Sequence, residues 1–343
     1  MEMDRATRLR YDTWKKKKIL KYIIAIVGLL ILVGILILGL RWFGSGDSLE
    51  DEDEYLTTAA TVPTETQAEI DETTPEENPR THLSVMQDEL EMRLNEMVNQ
   101  TPGIIGLSYY CLTTGRQISI NANEIFFSAS TIKLPTHMMI AEAVHAGTLS
   151  WDQILIVEEN HWHSGSGVLK YRIEFGHELT LYEALRYSIV YSDNIAHRML
   201  TSTLIPNFQH GSGLDNNYYE LTAKVLNRYV NGVMPTGRML ITPNQLLEIF
   251  KVLDRDQYRI EGYGMILDHM TNSVWSDRFI TSSTDGYVAH TPGWTYPYSH
   301  DSGIFFADYP YILIVMTQGL YFSAPDFLSE ISELVFQLHN DLQ

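Results

Sequence analysis

Nineteen consecutive residues without a charge, "YIIAIVGLLILVGILILGL" at 22–40, constrain this chain more than any other feature. A helix of that length spans roughly 28 Å at 1.5 Å per residue, enough to cross the hydrocarbon core of a bilayer. A cleaved signal peptide has a shorter apolar stretch and a small-residue cleavage site. This run leads instead into "RWFGSG", so an uncleaved anchor is expected. The cluster "KKKKILK" before it, with Arg5, Arg8 and Arg10, puts the N-terminus in the cytoplasm by the positive-inside rule, and Trp42 suits the interface. The expected division is a basic cytoplasmic tail over 1–18 and a single-pass transmembrane helix over 19–41, with the rest of the chain extracellular, held at the cell membrane.

Charge is divided accordingly. Residues 1–41 hold nine Lys/Arg against three Asp/Glu, leaving fifteen against forty of the chain's 24 basic and 43 acidic residues. So acidic a body argues against nucleic acid as a partner. Residues 44–84 carry twelve acidic residues and one Arg among Thr, Ala, Pro and Gly, too little apolar surface to fold, so 42–82 reads as an acidic disordered linker. Its charge keeps it extended and solvated; binding a cationic wall polymer is the weaker alternative. The folded domain is expected over 83–343, and a hydrophobic content of 45% supplies its core. Cys111 is the only cysteine, which excludes an internal disulfide and a cysteine metal cluster; within "IIGLSYYCL" it reads as a buried strand residue.

Val85, Leu90, Leu94 and Met97 repeat at near-helical spacing, and "GIIGLSYYCL" and "RQISIN" read as a hairpin closed at "TTG". Helical patterns fill the middle: "STIKLPTHMMIAEAVHAG", "TLYEALRYSIVYSDNIAHRMLTSTL" and "TPNQLLEIFKVL". Strands return in "GYVAHTPGW", "HDSGIFFA" and "YILIVMTQG", before a closing helix "APDFLSEISELVFQLHN". The expected class is α/β (α+β), with one antiparallel sheet assembled from both ends of the domain beside a helical lobe.

Three short stretches carry candidate chemistry. In "FFSASTIKLP", Ser130 and Lys133 stand at i and i+3, on one face of a helix, and a lysine desolvated among apolar neighbours can act as base for a serine. The helix start also offers amides to an oxyanion. A bare Ser-x-x-Lys is common in proteins and weak alone. In "YSDN", Ser192 and Asn194 offer a hydroxyl relay and a carboxamide, while Asp193 suits holding local backbone; the same run also reads simply as the N-cap of the helix that follows. The third stretch is "VAHTPGW", 288–294.

Taken in order, Ser130-Thr131-Ile132-Lys133, Ser192-Asp193-Asn194 and a late strand ending in Gly293 resemble the penicillin-recognising serine hydrolases, specifically the class A β-lactamase-like family. The resemblance runs over roughly 83–340 and includes "GSGVL" at 165–169. It implies a β-lactamase/transpeptidase-like fold in which Ser130 is the acylating nucleophile and Lys133 its activating partner. Ser192 would pass a proton to the leaving nitrogen, and Asn194, Thr291, Gly293 and Trp294 would contact the substrate, a β-lactam or a peptidoglycan-like peptide. No cofactor is implied.

Two departures qualify that implication. The family's Lys-Thr/Ser-Gly reads Thr291-Pro292-Gly293 here, so the cation that meets a substrate carboxylate is missing. Losing such a charge-assisted contact costs about 1.5–3 kcal/mol. His290 could restore a charge when protonated, or serve as a structural donor. Pro292 requires an unpaired amide position, so the amide of Trp294, two residues on, should face the same open edge and form an oxyanion hole with that of Ser130. The family's deacylating Glu is the second departure: Ala223 stands where it would in "TAKVLN", and Asp215 and Glu220 are the only acids between Asn194 and Thr242. The expectation is an extracytoplasmic serine hydrolase, weak as a true β-lactamase. The alternative is a degenerate pseudoenzyme that binds a wall peptide or partner protein. His161 and His163 of "HWH" could ligate zinc but lack a nearby third ligand, and read as a solvated loop. The tyrosines and Met138-Met139 read as core and pocket lining.

Overall fold

A computed structural model describes residues 79–205, 224, 227–230 and 239–340. The expected basic tail, transmembrane helix and nearly all of the acidic linker lie outside the described residues, as do Asp215, Glu220 and Ala223. No helix among the described residues is long and apolar enough to cross a membrane.

Helix α1 (Pro79–Gln100) leads into β1 (Ile104–Cys111) and β2 (Gln117–Ile120), the hairpin expected from the two strand-like runs joined at "TTG". Far along the chain come β7 (Val288–His290), β8 (Gly293–Thr295), β9 (Tyr298–Phe305) and β10 (Tyr311–Gln318), followed by α7 (Ala324–Asn340). These strands form one antiparallel sheet in the order β2-β1-β10-β9-β7, with β8 also on β9. The two ends of the domain are therefore stitched together in its centre, where Leu107 stands opposite Val315.

Both faces of this sheet are covered, which is why "YILIVMTQ" is apolar almost throughout rather than alternating. Leu313 and Val315 of β10 point to one side and pack with Leu90 and Leu94 of α1 and Ile331 and Val335 of α7. Ile312, Ile314 and Met316 point to the other, into a larger core with the intervening helices. Those helices are α2 (Lys133–His145), α3 (Leu181–Val190), α4 (Asn194–Leu204), α5 (Pro243–Asp256) and α6 (Glu261–Thr271). Short pairs β3 (Phe126–Phe127) with β6 (Leu240–Ile241), and β4 (Ile154–Ile156) with β5 (Glu178–Thr180), tie the lobe together.

Helix boundaries follow local chemistry. Thr180 and Glu183 exchange reciprocal hydrogen bonds as a capping box at the start of α3, and Thr242 and Gln245 do the same for α5, which has proline in its first turn. The long apolar pattern 180–204 is split in two at Tyr191-Ser192-Asp193, where Ser192 takes a positive φ of 48°. Cys111 is buried at the end of β1, as expected.

Candidate active site

Ser130 lies in a single 3-10 turn, Ala129–Ile132, that runs directly into α2. The turn is fixed from both sides. The Ser128 amide donates to Met239 O at 2.7 Å, and Thr131 Oγ1 donates to Ser128 O at 2.7 Å. Ala129, immediately before the serine, adopts φ 48°, a left-handed conformation uncommon for a residue with a side chain. Ser130 is half-exposed, and among the described residues no hydrogen bond commits its hydroxyl.

Lys133 is its opposite, buried to 5% exposure in the first turn of α2. Its ammonium nitrogen donates to the Ser192 carbonyl at 2.6 Å, to Ser192 Oγ at 3.2 Å and to Asn194 Oδ1 at 2.6 Å. Burial pushes its pKa down to about 7, against a smaller upward pull from the Asp193 carboxylate. A lysine in that range can accept a proton near neutral pH. One turn on, His137 donates to or accepts from Ser188 Oγ at 2.7 Å, and burial together with Lys133 and His269 keeps it neutral.

Asp193 shapes this wall without meeting Lys133 directly. Its Oδ1 accepts from the amides of Ile195 (2.9 Å) and Ala196 (3.1 Å), capping α4, while Oδ2 accepts from those of Val168 (2.7 Å) and Leu169 (2.8 Å). One carboxylate thus joins two segments far apart in sequence, and both readings of the run, cap and site, hold at once. Gly167, at φ 115°, lies so close that a Cβ there would sit 2.1 Å from Asp193 Oδ2. The "GSGVL" glycine is a requirement of contact with this carboxylate.

The opposite wall is the strand interrupted by Pro292. β7 and β8 pair with β9 in one continuous register, and the Thr291 amide donates to Ser302 O at 2.8 Å. Alternation then turns the amides of 290, 292 and 294 to the open edge, which accommodates proline and leaves the Trp294 amide outward. A Cβ on Gly293 would sit 3.0 Å from Thr131 Cγ2 and 3.1 Å from Ser128 O, so this strand lies directly on the Ser130 turn. Thr291 shares the parity of Gly293 and of Ala289, which packs in the helical-lobe core.

His290 has the other parity. It shares the face of Val288, which packs beneath α7, and its Nδ1 pairs at 2.9 Å with the carboxylate of Asp301, both side chains fully buried. Asp301 also accepts from the amides of Phe279 and Ser302. The histidine is thus turned away from the Ser130 face of the sheet and does not replace the missing cation there. Its role is the structural one.

The expectation for "HWH" was incomplete. His161 is buried in a 3-10 turn, accepting the Glu158 amide on Nδ1 at 3.0 Å, and His163 Nδ1 lies 3.1 Å from Asn194 Nδ2. This is no solvated loop, and His163 belongs to the site. Only its proximity to "GSGVL" could have signalled it. Among the described residues no group of three or more His, Cys, Asp or Glu is placed to hold a metal ion.

With this geometry in view, comparison with known proteins identifies the family. The model of a family described as the β-lactamase enzyme family matches residues 89–338. The chain belongs to that family. No protein of curated function matches its sequence. Among solved structures, PBP-A has a TM-score of 0.61 at 19% identity, over 73% of this chain and 95% of its own. A β-lactamase from Chitinophaga pinensis gives 0.63 at 18%, over 74% and 100%. An ancestral class A β-lactamase gives 0.60 at 19%, over 72% and 98%. At these identities the likeness is one of fold. Position 291, where the sequence resemblance implied a lysine, holds an uncharged threonine.

Proposed function

We propose that the domain is a membrane-anchored, extracytoplasmic serine hydrolase in which Ser130 forms an acyl-enzyme with the carbonyl of a β-lactam or a cell-wall peptide. The observation that carries this reading is Lys133, buried and gathered with Ser192 and Asn194 three residues from a half-exposed serine, a burial that pushes its pKa down to about 7. Neutral Lys133 takes the Ser130 proton as Oγ bonds to the carbonyl carbon, and the carbonyl electron pair moves to its oxygen. The amides of Ser130 and Trp294 stabilise that oxyanion. Collapse breaks the carbon–nitrogen bond, and the proton passes from Lys133 through Ser192 Oγ, 3.2 Å away, to the leaving nitrogen. Asn194 Nδ2 and Thr291 contact the substrate amide and its acidic end.

Acylation on carboxylate-bearing substrates is slowed by the threonine at 291, and the acyl-enzyme is long-lived because Ala223 stands in place of a deacylating carboxylate. This resembles a penicillin-binding peptidase more than a resistance enzyme. A mutant of PBP-A, related to this chain in fold, has been solved as an acyl-enzyme complex with penicillin G. The uncharged run at 22–40 supports the anchor, and the basic residues before it support an extracellular domain. A specific observation favours a second reading: Thr291 lacks a charge and His290 faces away, so the cleft would bind a wall peptide without cleaving it. Labelling with a fluorophosphonate and a fluorescent penicillin separates the two. Label on the wild type that disappears in Ser130→Ala supports the hydrolase; absence of label from pH 6 to 9 supports the binder.

A further inference from the structure

We propose that His163 is a positioning residue of the acylation site, which as a neutral imidazole locks the Asn194 carboxamide with its oxygen on Lys133 and its nitrogen toward the cleft. This rests on the reading of Ser130 and Lys133 as nucleophile and base. Two donors of fixed identity define the arrangement. The Gly165 backbone amide can only donate, and it reaches His163 Nδ1 at 2.8 Å, so that nitrogen holds its lone pair and the ring proton sits on Nε2. From the other side, the charged form of Lys133 can only donate, and its Nζ reaches the Asn194 carboxamide at 2.6 Å, so that atom is the oxygen. The Asn194 nitrogen is left 3.1 Å from His163 Nδ1 and shares its lone pair with the Gly165 amide.

A flipped carboxamide would set its oxygen against the imidazole lone pair and its NH2 against the lysine. A protonated His163 would set Nδ1–H against two donors. The charged groups facing the ring are Arg198, Lys133, Lys170 and the opposing carboxylate of Asp193; burial first, then the three cations, lowers its pKa below the ordinary histidine value. Gly165 is part of the same device, since a Cβ there would meet His163 Cε1 at 2.6 Å and Asn194 Nδ2 at 2.8 Å. The segment "HSGSG" therefore turns a histidine into a fixed acceptor.

The test uses the full-length chain in lipid nanodiscs with 15N-labelled histidine, the His163 signals being assigned by their loss in His163→Asn. The Nε2-protonated tautomer should persist from pH 8 to pH 6; an Nδ1-protonated or charged ring at pH 7 overturns the proposal whether or not the protein is active. In acylation by a fluorescent penicillin, His163→Leu should be slower by roughly ten- to a hundredfold, the range for one oriented hydrogen bond. Its rate–pH profile should move to lower pH, because Nζ loses an acceptor that favours its charged form. Asparagine at 163 keeps an acceptor near the position of Nδ1, so His163→Asn should recover most of both properties. Equal losses in the two variants, or an unchanged profile in His163→Leu, would overturn it. If the wild type takes no label yet shows this tautomer, the hydrolase reading fails while the positioning of Asn194 stands.

Discussion

Lys133 works as a base only while unprotonated, and its surroundings set when that is. With its pKa pushed down to about 7, acylation by penicillin should rise with pH through that region. Lys133→Met should lose the rise and fall in rate by about 10²–10⁴-fold, measured by stopped-flow labelling. The same group makes stability depend on pH. Between about 7 and its ordinary value of 10.5 the unfolded chain binds the proton more tightly, so stability should increase with pH across that window. Below 7 the lysine is charged in both states and the burial penalty is constant. Denaturant titrations at pH 7 and 9.5 should show the increase in the wild type and a smaller one in Lys133→Met. At 291 the prediction is directional: Thr291→Lys should speed acylation roughly tenfold or more by restoring a charge-assisted contact, and leave turnover of the acyl-enzyme slow. A rise in steady-state hydrolysis equal to the rise in acylation would contradict the assignment of Ala223.

At the scale of elements, the wall of the site is held by one carboxylate. Asp193→Ala removes the acceptor of four amides, two of them capping α4 and two fixing the 165–169 loop, and should cost about 2–4 kcal/mol by denaturant unfolding while loosening that loop to proteolysis. Gly167→Ala should be comparably damaging, because it drives a methyl into Asp193 from a backbone conformation that alanine rarely adopts. Most elements were legible because their signals are local. The two strand-like runs either side of "TTG" marked the hairpin, and the 3.6-residue period of "APDFLSEISELVFQLHN" marked α7. Helix α6 was not, since the glycines in "EGYGMILDHMT" weaken its helical pattern and its stability comes from packing against α2. The break at Ser192 ran against continuous apolar spacing and was signalled only by the capping residues of "YSDN". The place of His163 in the site was not legible, because beyond its proximity to "GSGVL" nothing in "HWHSGSG" states that Asn194, thirty-one residues away, closes on it.

Across the whole molecule, the order of elements carried the family reading where single motifs could not, because a sheet built from both ends of a domain obliges the Ser130 turn to meet the strand at Gly293. The direction of His290 was settled only by register, a non-local property: its pairing opposite Gly303 sends the ring beneath α7. The anchor is a proposal about the same chain. Protease added to intact protoplasts should remove the folded domain while cytoplasmic markers survive; protection of both would reverse the orientation. The central claim is that Ser130 is acylated, and intact-mass spectrometry tests it most directly. After incubation with penicillin G at pH 8, the wild type should carry one penicilloyl group, mapped to the peptide containing Ser130 and persisting for minutes or longer, and Ser130→Ala should carry none. An unmodified wild-type mass at saturating penicillin, or an adduct retained in Ser130→Ala, would contradict the account.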